Sequence, residues 1–147
     1  DESTQCLVAC PVLGSGAFGS PADLSGLPSL DLGPPRRDHR WELQHEDGKT
    51  ASLPHRPRLV TDDMSALRHA ALAGVGIVQL PTLMIWEDIV AGRLVHVLPD
   101  WRPKAGIVHA VFPSRRGLLP SVRALLDFLA DECARQRQQA TVGMRGL

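Results

Sequence analysis

The sequence predicts an α/β fold whose sheet contains a parallel crossover, and three observations carry that prediction. Residues 58–82, R-L-V-T-D-D-M-S-A-L-R-H-A-A-L-A-G-V-G-I-V-Q-L-P-T, read as strand, turn, helix, turn and strand. Short apolar runs closed by proline recur elsewhere, at residues 5–10, 94–98 and 107–112. An apolar stripe at helical spacing, Val122, Leu125, Leu126, Leu129 and Cys133, then follows near the end of the chain.

The 58–82 unit has a signal at every boundary. Leu59 and Val60 make a short strand, after which Thr61, Asp62 and Asp63 supply side chains able to cap a helix N-terminus. Met64, Leu67 and Ala71 recur at i, i+3 and i+7 and form one buried stripe, with Arg68 and His69 off it. Gly74 stands where a left-handed C-cap is wanted, and residues 76–80 form an apolar strand stopped by Pro81. Two strands joined by about three helical turns and short loops imply a right-handed parallel crossover.

Ahead of this unit, residues 5–10 are an apolar strand ended by Pro11, and Gly14, Gly16, Gly19 and Pro21 make a loop. The G-x-G in that loop lacks both the third glycine of a dinucleotide fingerprint and the Gly-Lys-Ser/Thr of a P-loop, so no nucleotide cofactor is expected. Residues 21–24 read as a one-turn helix and residues 29–32 as a short strand. Residues 41–44 and 50–53 flank His45-Glu46-Asp47-Gly48, where the Asp-Gly pair signals a hairpin. After the unit come one helix or two short ones over residues 81–92, with Pro81 suited to a first helical position, and strands at 94–98 and 107–112. A helix follows from near Pro120, and the polar tail 135–147 is expected to fray.

With 147 residues the chain holds one domain with a real core, or one and a half small lobes. Lys+Arg and Asp+Glu balance at 16 each, which points to neither nucleic acid nor a membrane. No apolar run approaches the roughly 20 residues that span a bilayer, and the acidic start D-E-S-T-Q is unlike a secretion signal, so a cytoplasmic protein is expected. Starting at Asp1 without an initiator Met, the chain is expected to be a fragment or a processed product. Cys6, Cys10 and Cys133 fit neither a redox C-x-x-C nor a zinc knuckle and are read as reduced, small hydrophobes. The six histidines are scattered without metal-ligand spacing, so no metal is expected. No G-x-S-x-G elbow, paired carboxylates or Cys/His pair supports catalysis, and no catalytic residue is named. Trp41, Trp86 and Trp101 are read as packing residues, and Arg115-Arg116 as a solvated loop.

Taken in order, L-V-A-C-P, P-A-D-L-S-G, the strand opening at Trp41, D-D-M-S-A-L-R-H-A-A-L-A-G-V-G-I-V-Q-L-P, A-G-R-L-V-H-V-L-P-D-W and V-F-P-S-R-R-G-L-L-P-S-V-R-A-L-L-D-F-L resemble the C-terminal effector-binding domain of LysR-type transcriptional regulators. The resemblance covers residues 7 to about 134. It implies a Rossmann-like lobe of a type II periplasmic-binding-protein-like fold, a mixed sheet flanked by helices. By the same resemblance residues 7–106 are the second lobe and 107–134 the last strand and helix of the first, within a partial domain 1–134. The family's DNA-binding helix-turn-helix has no counterpart here, so DNA contact is expected only through a segment absent from these residues.

Open α/β sheets bind ligands beyond the carboxyl ends of their strands. Thr61, Asp62 and Asp63 hold such a position, and the resemblance places them with Pro81 and Thr82 on the second-lobe wall of a small-molecule cleft. The chemistry leaves two readings open for Thr61 and Asp62, capping alone or capping with ligand contact. Two carboxylates there disfavour an anion, so a polar or partly cationic effector is as plausible as a carboxylate. Self-association is expected through Val122, Leu125, Leu126 and Leu129, whose usual cover in the family is a first lobe mostly missing here; the alternative is that this helix folds back on its own lobe through the short connection 113–119. The alternative function is a lobe of an exported solute-binding protein.

Overall fold

The computed structural model of the chain describes residues 2–16, 18–112 and 118–145. Its elements are β1 (Glu2–Ser3), β2 (Gln5–Ala9), α1 (Pro11–Gly14), a 3-10 turn (Pro21–Leu24), β3 (Ser29–Leu32), β4 (His39–His45), β5 (Thr50–His55) and β6 (Pro57–Thr61). There follow α2 (Met64–Leu72), β7 (Val78–Pro81), α3 (Thr82–Val90), β8 (Val95–His96), β9 (Trp101–Pro103), β10 (Gly106–Ile107) and α4 (Pro120–Met144).

The expected crossover is present, with one strand inserted inside it. β6 pairs with β3 in parallel, and β3 meets the approach to β7 through the parallel bridge Ser29–Ile77. Backbone hydrogen bonds from Leu30 to Ile77 and from Ile77 to Pro28, both 2.8 Å, carry that bridge. The two strands of the crossover are therefore parallel but separated by β3. Gly76 permits the approach: a Cβ there would stand 2.9 Å from the Ser29 nitrogen and 3.0 Å from the Pro28 carbonyl. Gly74 closes α2 at φ +81°, as the sequence predicts. β2 runs antiparallel between β7 and β8, which completes a mixed five-strand layer. A smaller antiparallel sheet, β5-β4-β9, carries the expected hairpin turning at Asp47-Gly48.

β2 reads as an unbroken apolar run because both of its faces are covered. Cys6 and Val8 pack with Leu30, Leu67, Ala71 and Ile85 on the helical side. Leu7 and Ala9 pack with Trp41, Leu43, Ile77 and Leu98 on the side of the small sheet. Each such side chain contributes roughly 1.5–3 kcal/mol on burial, so this strand is where the two halves of the core meet. Leu67 and Ala71 are fully buried as the α2 stripe predicts, whereas Met64 is left 37% exposed at the helix start.

Several boundaries differ from the sequence reading. Pro81 remains the last residue of β7, opposite Gln5, and α3 starts at Thr82 as a single helix. Only Val95–His96 of residues 94–98 is strand, because the Leu94 amide turns back to the Asp88 carbonyl. Of residues 107–112 only Ile107 is strand, paired through β10 with β1, and Val111 is 86% exposed. The run has strand composition, but among the described residues its ladder ends at Ile107. The tail expected to fray from Arg135 is helical through Met144. Its small residues explain this: Ala140 is buried, and Gly143 lies flat against the Trp86 ring on α3. Arg115 and Arg116 fall outside the described residues.

Arg68, off the buried stripe of α2, reaches across to α3. Its Nε donates to Asp88 Oδ2 at 2.7 Å and its Nη2 to Oδ1 at 2.9 Å, while Arg93 Nε donates to Oδ1 at 2.9 Å. The Asp88 side chain is 1% exposed. Burial alone would raise its pKa, but hydrogen bonds and charge from the two guanidiniums outweigh that and hold the carboxyl below its ordinary value.

Asp88→Asn is expected to cost about 3 kcal/mol of stability at neutral pH, the low end for a broken buried pair because both guanidiniums reach water. A folded pKa below the unfolded one makes this contribution complete above about pH 4 and removes it as pH falls through the folded pKa. Urea unfolding of both proteins in steps from neutral to about pH 3 measures it. A difference that stays constant into acid contradicts the assignment.

Candidate functional site

β3, β6 and β7 run parallel, so Leu32, Thr61 and Pro81 end at one edge of the sheet. The Gly33 amide donates to the Thr61 carbonyl at 3.0 Å and holds the β3 and β6 ends level. From Thr61 the chain turns directly into α2. Asp63 is the cap: its Oδ1 accepts from the amides of Ser65 at 2.8 Å and Ala66 at 3.1 Å. Thr61 Oγ1 accepts from the Asp63 amide at 3.2 Å and braces the cap. Asp62 projects exposed between them, with its carboxylate committed to neither bond.

Pro81 and Thr82 stand on the same edge with β3 between, about 10 Å away at two strand spacings. The Thr82 amide donates to the Thr4 carbonyl at 2.9 Å. Its buried hydroxyl faces inward, 3.9 Å from Cys6 Sγ. The five residues singled out from the sequence therefore share an edge but are of two kinds. Thr61, Asp62 and Asp63 form one polar corner, and Pro81-Thr82 forms a closed rim.

An open groove of about 890 Å³ adjoins that rim, and sequence reasoning missed it. Gln5, opposite Pro81, lines it together with Gln44, His45, Glu46, Arg102 and Lys104. Gln79 donates to the Gln5 side chain beside it, and Arg102 Nη2 reaches Glu46 at 3.2 Å. The groove draws on β2, β4 and β9, far apart in the chain. Its one sequence signal is a pair of glutamines, Gln5 and Gln79, at apolar strand positions. The β1–β10 ladder borders it, so the chain's two passages at this edge run side by side.

Other reactive groups are occupied. Burial pushes the Cys6 thiol up to about 11, with the Thr82 hydroxyl opposing the shift, which keeps it a neutral thiol rather than a nucleophile. Ser29 Oγ lies 2.8 Å from His55 Nδ1, but the hydroxyl is fully buried and the nearby carboxylate, Asp31, pairs instead with His39 at 2.5 Å. A nucleophile needs access, and an orienting carboxylate must face its own base. Among the described residues no three His, Cys, Asp or Glu side chains are grouped to hold a metal ion, and no described helix is long and apolar enough to cross a membrane.

Known proteins match this arrangement. The family described as LysR substrate binding domain matches residues 3–134. The HTH-type transcriptional regulator PtxR of Pseudomonas aeruginosa is 31% identical over 131 residues, which are 82% of this chain and 42% of PtxR. The HTH-type transcriptional activator AaeR of Escherichia coli is 30% identical over 111 residues, 76% of this chain and 36% of AaeR. Among solved structures, CrgA of Neisseria meningitidis, a LysR-type transcriptional regulator, superposes with a TM-score of 0.70 at 25% identity, covering 90% of this chain and 45% of CrgA. The chain thus spans less than half the length of these relatives. Because the family match runs from the first strand into the last helix and takes in the whole edge where Thr61 and Thr82 stand, the chain belongs to the LysR substrate-binding domain family.

Proposed function

We propose that this chain is the effector-sensing and assembly part of a LysR-type bacterial transcription regulator, in which a small molecule held at the lobe modulates transcription. The observation that carries this reading is the coincidence of the family match, residues 3–134, with a helix-capped edge at the ends of three parallel strands. In this reading DNA is bound by a helix-turn-helix outside these residues, and the work is regulation in the cytoplasm rather than catalysis. Residues 7–106 are the second lobe and 107–134 the closing strand and helix of the first. Support for that division comes from the β1–β10 ladder, where the two crossings would lie together.

Effector contact is assigned to Thr61, Asp62, Asp63, Pro81 and Thr82. Asp63 is engaged by its own helix, so Asp62 is the carboxylate left for a ligand. That charge favours a polar or partly cationic effector. Pro81 and Thr82 contribute shape, since the Thr82 hydroxyl faces Cys6. Self-association is assigned to the first half of α4, where Val122, Leu125 and Leu129 are 36%, 54% and 46% exposed and Leu126 is half-buried. Covering four such side chains is worth several kcal/mol at roughly 1.5–3 kcal/mol each, comparable with a small domain's stability.

Thr61→Val in the complete regulator is expected to reduce the reporter response to effector while costing at most about 1 kcal/mol of stability. Asp63→Ala, which removes the cap, should instead lower the melting temperature through a loss of about 1 kcal/mol. A Thr61→Val protein with lowered melting temperature and an intact response would reduce Thr61 to a brace. Calorimetry of the isolated chain against small acids, amino acids and aromatic metabolites should give weak binding, because one cleft wall desolvates a ligand poorly. Tight binding would contradict the two-lobe site. Sedimentation equilibrium at micromolar concentration should show an assembly that Leu125→Glu dissociates. A compact wild-type monomer would remove the assignment of that face.

A further inference from the structure

A second groove, of about 550 Å³, lies between the turn leading into β3 and the corner joining β5 to β6. It sits at the start of the parallel strands, where Ser29 pairs with Pro57, and not at the Thr61 edge. Along β6 the separation is three residues from Arg58 to Thr61, about 10 Å at 3.3 Å per residue. The two sites share no lining residue.

Charge in this groove is one-sided. Arg56, just before β6, and Arg58, the residue left over where the β3–β6 register shifts between Pro57 and Leu59, both line it, and Arg37 enters from the loop before β4. Among the described residues none of the three makes an ion pair. The one acidic lining residue, Asp38, is held by Arg40, whose Nε donates to Oδ2 at 3.1 Å. His39 and His55, with rings 6.0 Å apart, line the inner side. His39 is nine-tenths buried and fixed by Asp31. His55 is fixed on two sides, by Ser29 at Nδ1 and by the Trp41 ring stacked on it at 4.0 Å and 15°. Its other nitrogen, Nε2, is buried with no protein partner, whichever tautomer the Ser29 bond selects. That nitrogen is enclosed, so a ligand in the groove acts on the ring through its charge and not through a bond to Nε2.

The geometry points to this groove as a binding site for a tetrahedral oxyanion, a phosphate group either free or as a monoester, held by the Arg37, Arg56 and Arg58 guanidiniums over the His39–His55 pair. Guanidinium forks match oxyanions in shape and charge, and three of them around one groove leave the cationic charge uncompensated until such a group arrives. His55 gives the site a reporter. Burial lowers its pKa, with Asp31 raising and His39 lowering it further, so the ring is neutral in the empty groove near pH 7. A bound dianion adds negative charge beside it. Arg37, Asp38, Asp31, His39, Arg56 and Arg58 are the charged and titratable groups around the ring, and binding adds the ligand's charge to theirs. Binding therefore raises the His55 pKa; because the phosphate's own second ionisation, at about pH 6 to 7, falls in the same range, the histidine signal and not the pH dependence of affinity reads the effect.

The test is a titration of the full 147-residue chain with inorganic phosphate, followed by NMR of the histidine ring nitrogens, with chloride at matched ionic strength as the control. Saturable shifts of the His55 and His39 signals, with a raised His55 pKa, are expected. Glycerol phosphate in a second titration separates the sources: equal or tighter binding identifies an esterified phosphate, and binding of phosphate alone identifies the free ion. Arg56→Gln with Arg58→Gln should weaken binding about tenfold or more, as loss of two charge-assisted contacts requires. Arg123→Gln, on α4 outside the groove, should leave it unchanged. Linear shifts no larger than those in chloride, or equal affinity in the double variant, would overturn the proposal. The wild-type titration stands even where the double variant fails to fold.

Discussion

The buried Asp88 carboxylate organises this lobe more than any other single group. Arg68 joins it from α2 and Arg93 from the turn after α3, and its backbone carbonyl accepts from the amides of Arg93 at 2.8 Å and Leu94 at 3.1 Å. One residue thereby fixes the α2–α3 pair and turns the chain back toward β8. Both helices start at the ends of parallel strands, so the same lock sets where their N-terminal ends lie. A neutral pair of apolar residues in its place would cost less to bury, but would not fix direction as a bidentate guanidinium does.

Local signals made the crossover legible, and long-range pairing hid the rest. Asp63 and Gly74 act within a few residues of where they stand, and Leu67 and Ala71 mark a buried face by their spacing whatever covers it, so spacing carried the meaning. Nothing in the spacing showed that β3 would insert between β6 and β7, because that depends on Gly76 admitting the Pro28 backbone. Arg68 reads only as a position off the buried stripe; its partner is 20 residues away. Residues 107–112 have the composition of a strand, but composition supplies no ladder. The stretch from Arg135 looked polar and unpatterned because Ala140 and Gly143 dock by being small, a signal that hydrophobic periodicity does not register. The candidate site was legible as an edge, from strand ends and a cap, while the neighbouring groove needed Gln5, Glu46 and Arg102 to be brought together.

The two ends of the parallel strands differ in character for the same reason that they differ in position. At their carboxyl end the sequence puts Asp62 and Asp63, and the α2 amides consume one of those carboxylates. At their start it puts Arg56 and Arg58 either side of a proline that fixes the backbone, with two histidines held by β3. The lobe thus carries an acidic corner at one end of these strands and a basic groove at the other.

α4 has two halves with different needs. Its second half is finished, resting on Trp86, while its first half carries Leu125, Phe128 and Leu129 into solvent. The five-strand layer with α2 and α3 is therefore the cooperative unit, and the start of α4 lies outside it. Native-state hydrogen exchange on the chain, at a concentration low enough to keep it monomeric, tests this most directly. Amides of residues 6–8 and 78–80 should exchange only through global unfolding, with those of α2 and α3 close behind, while residues 122–132 exchange through far smaller openings. Protection of residues 122–132 equal to that of β2 in the monomer, or early loss of α2 and α3, would contradict the account.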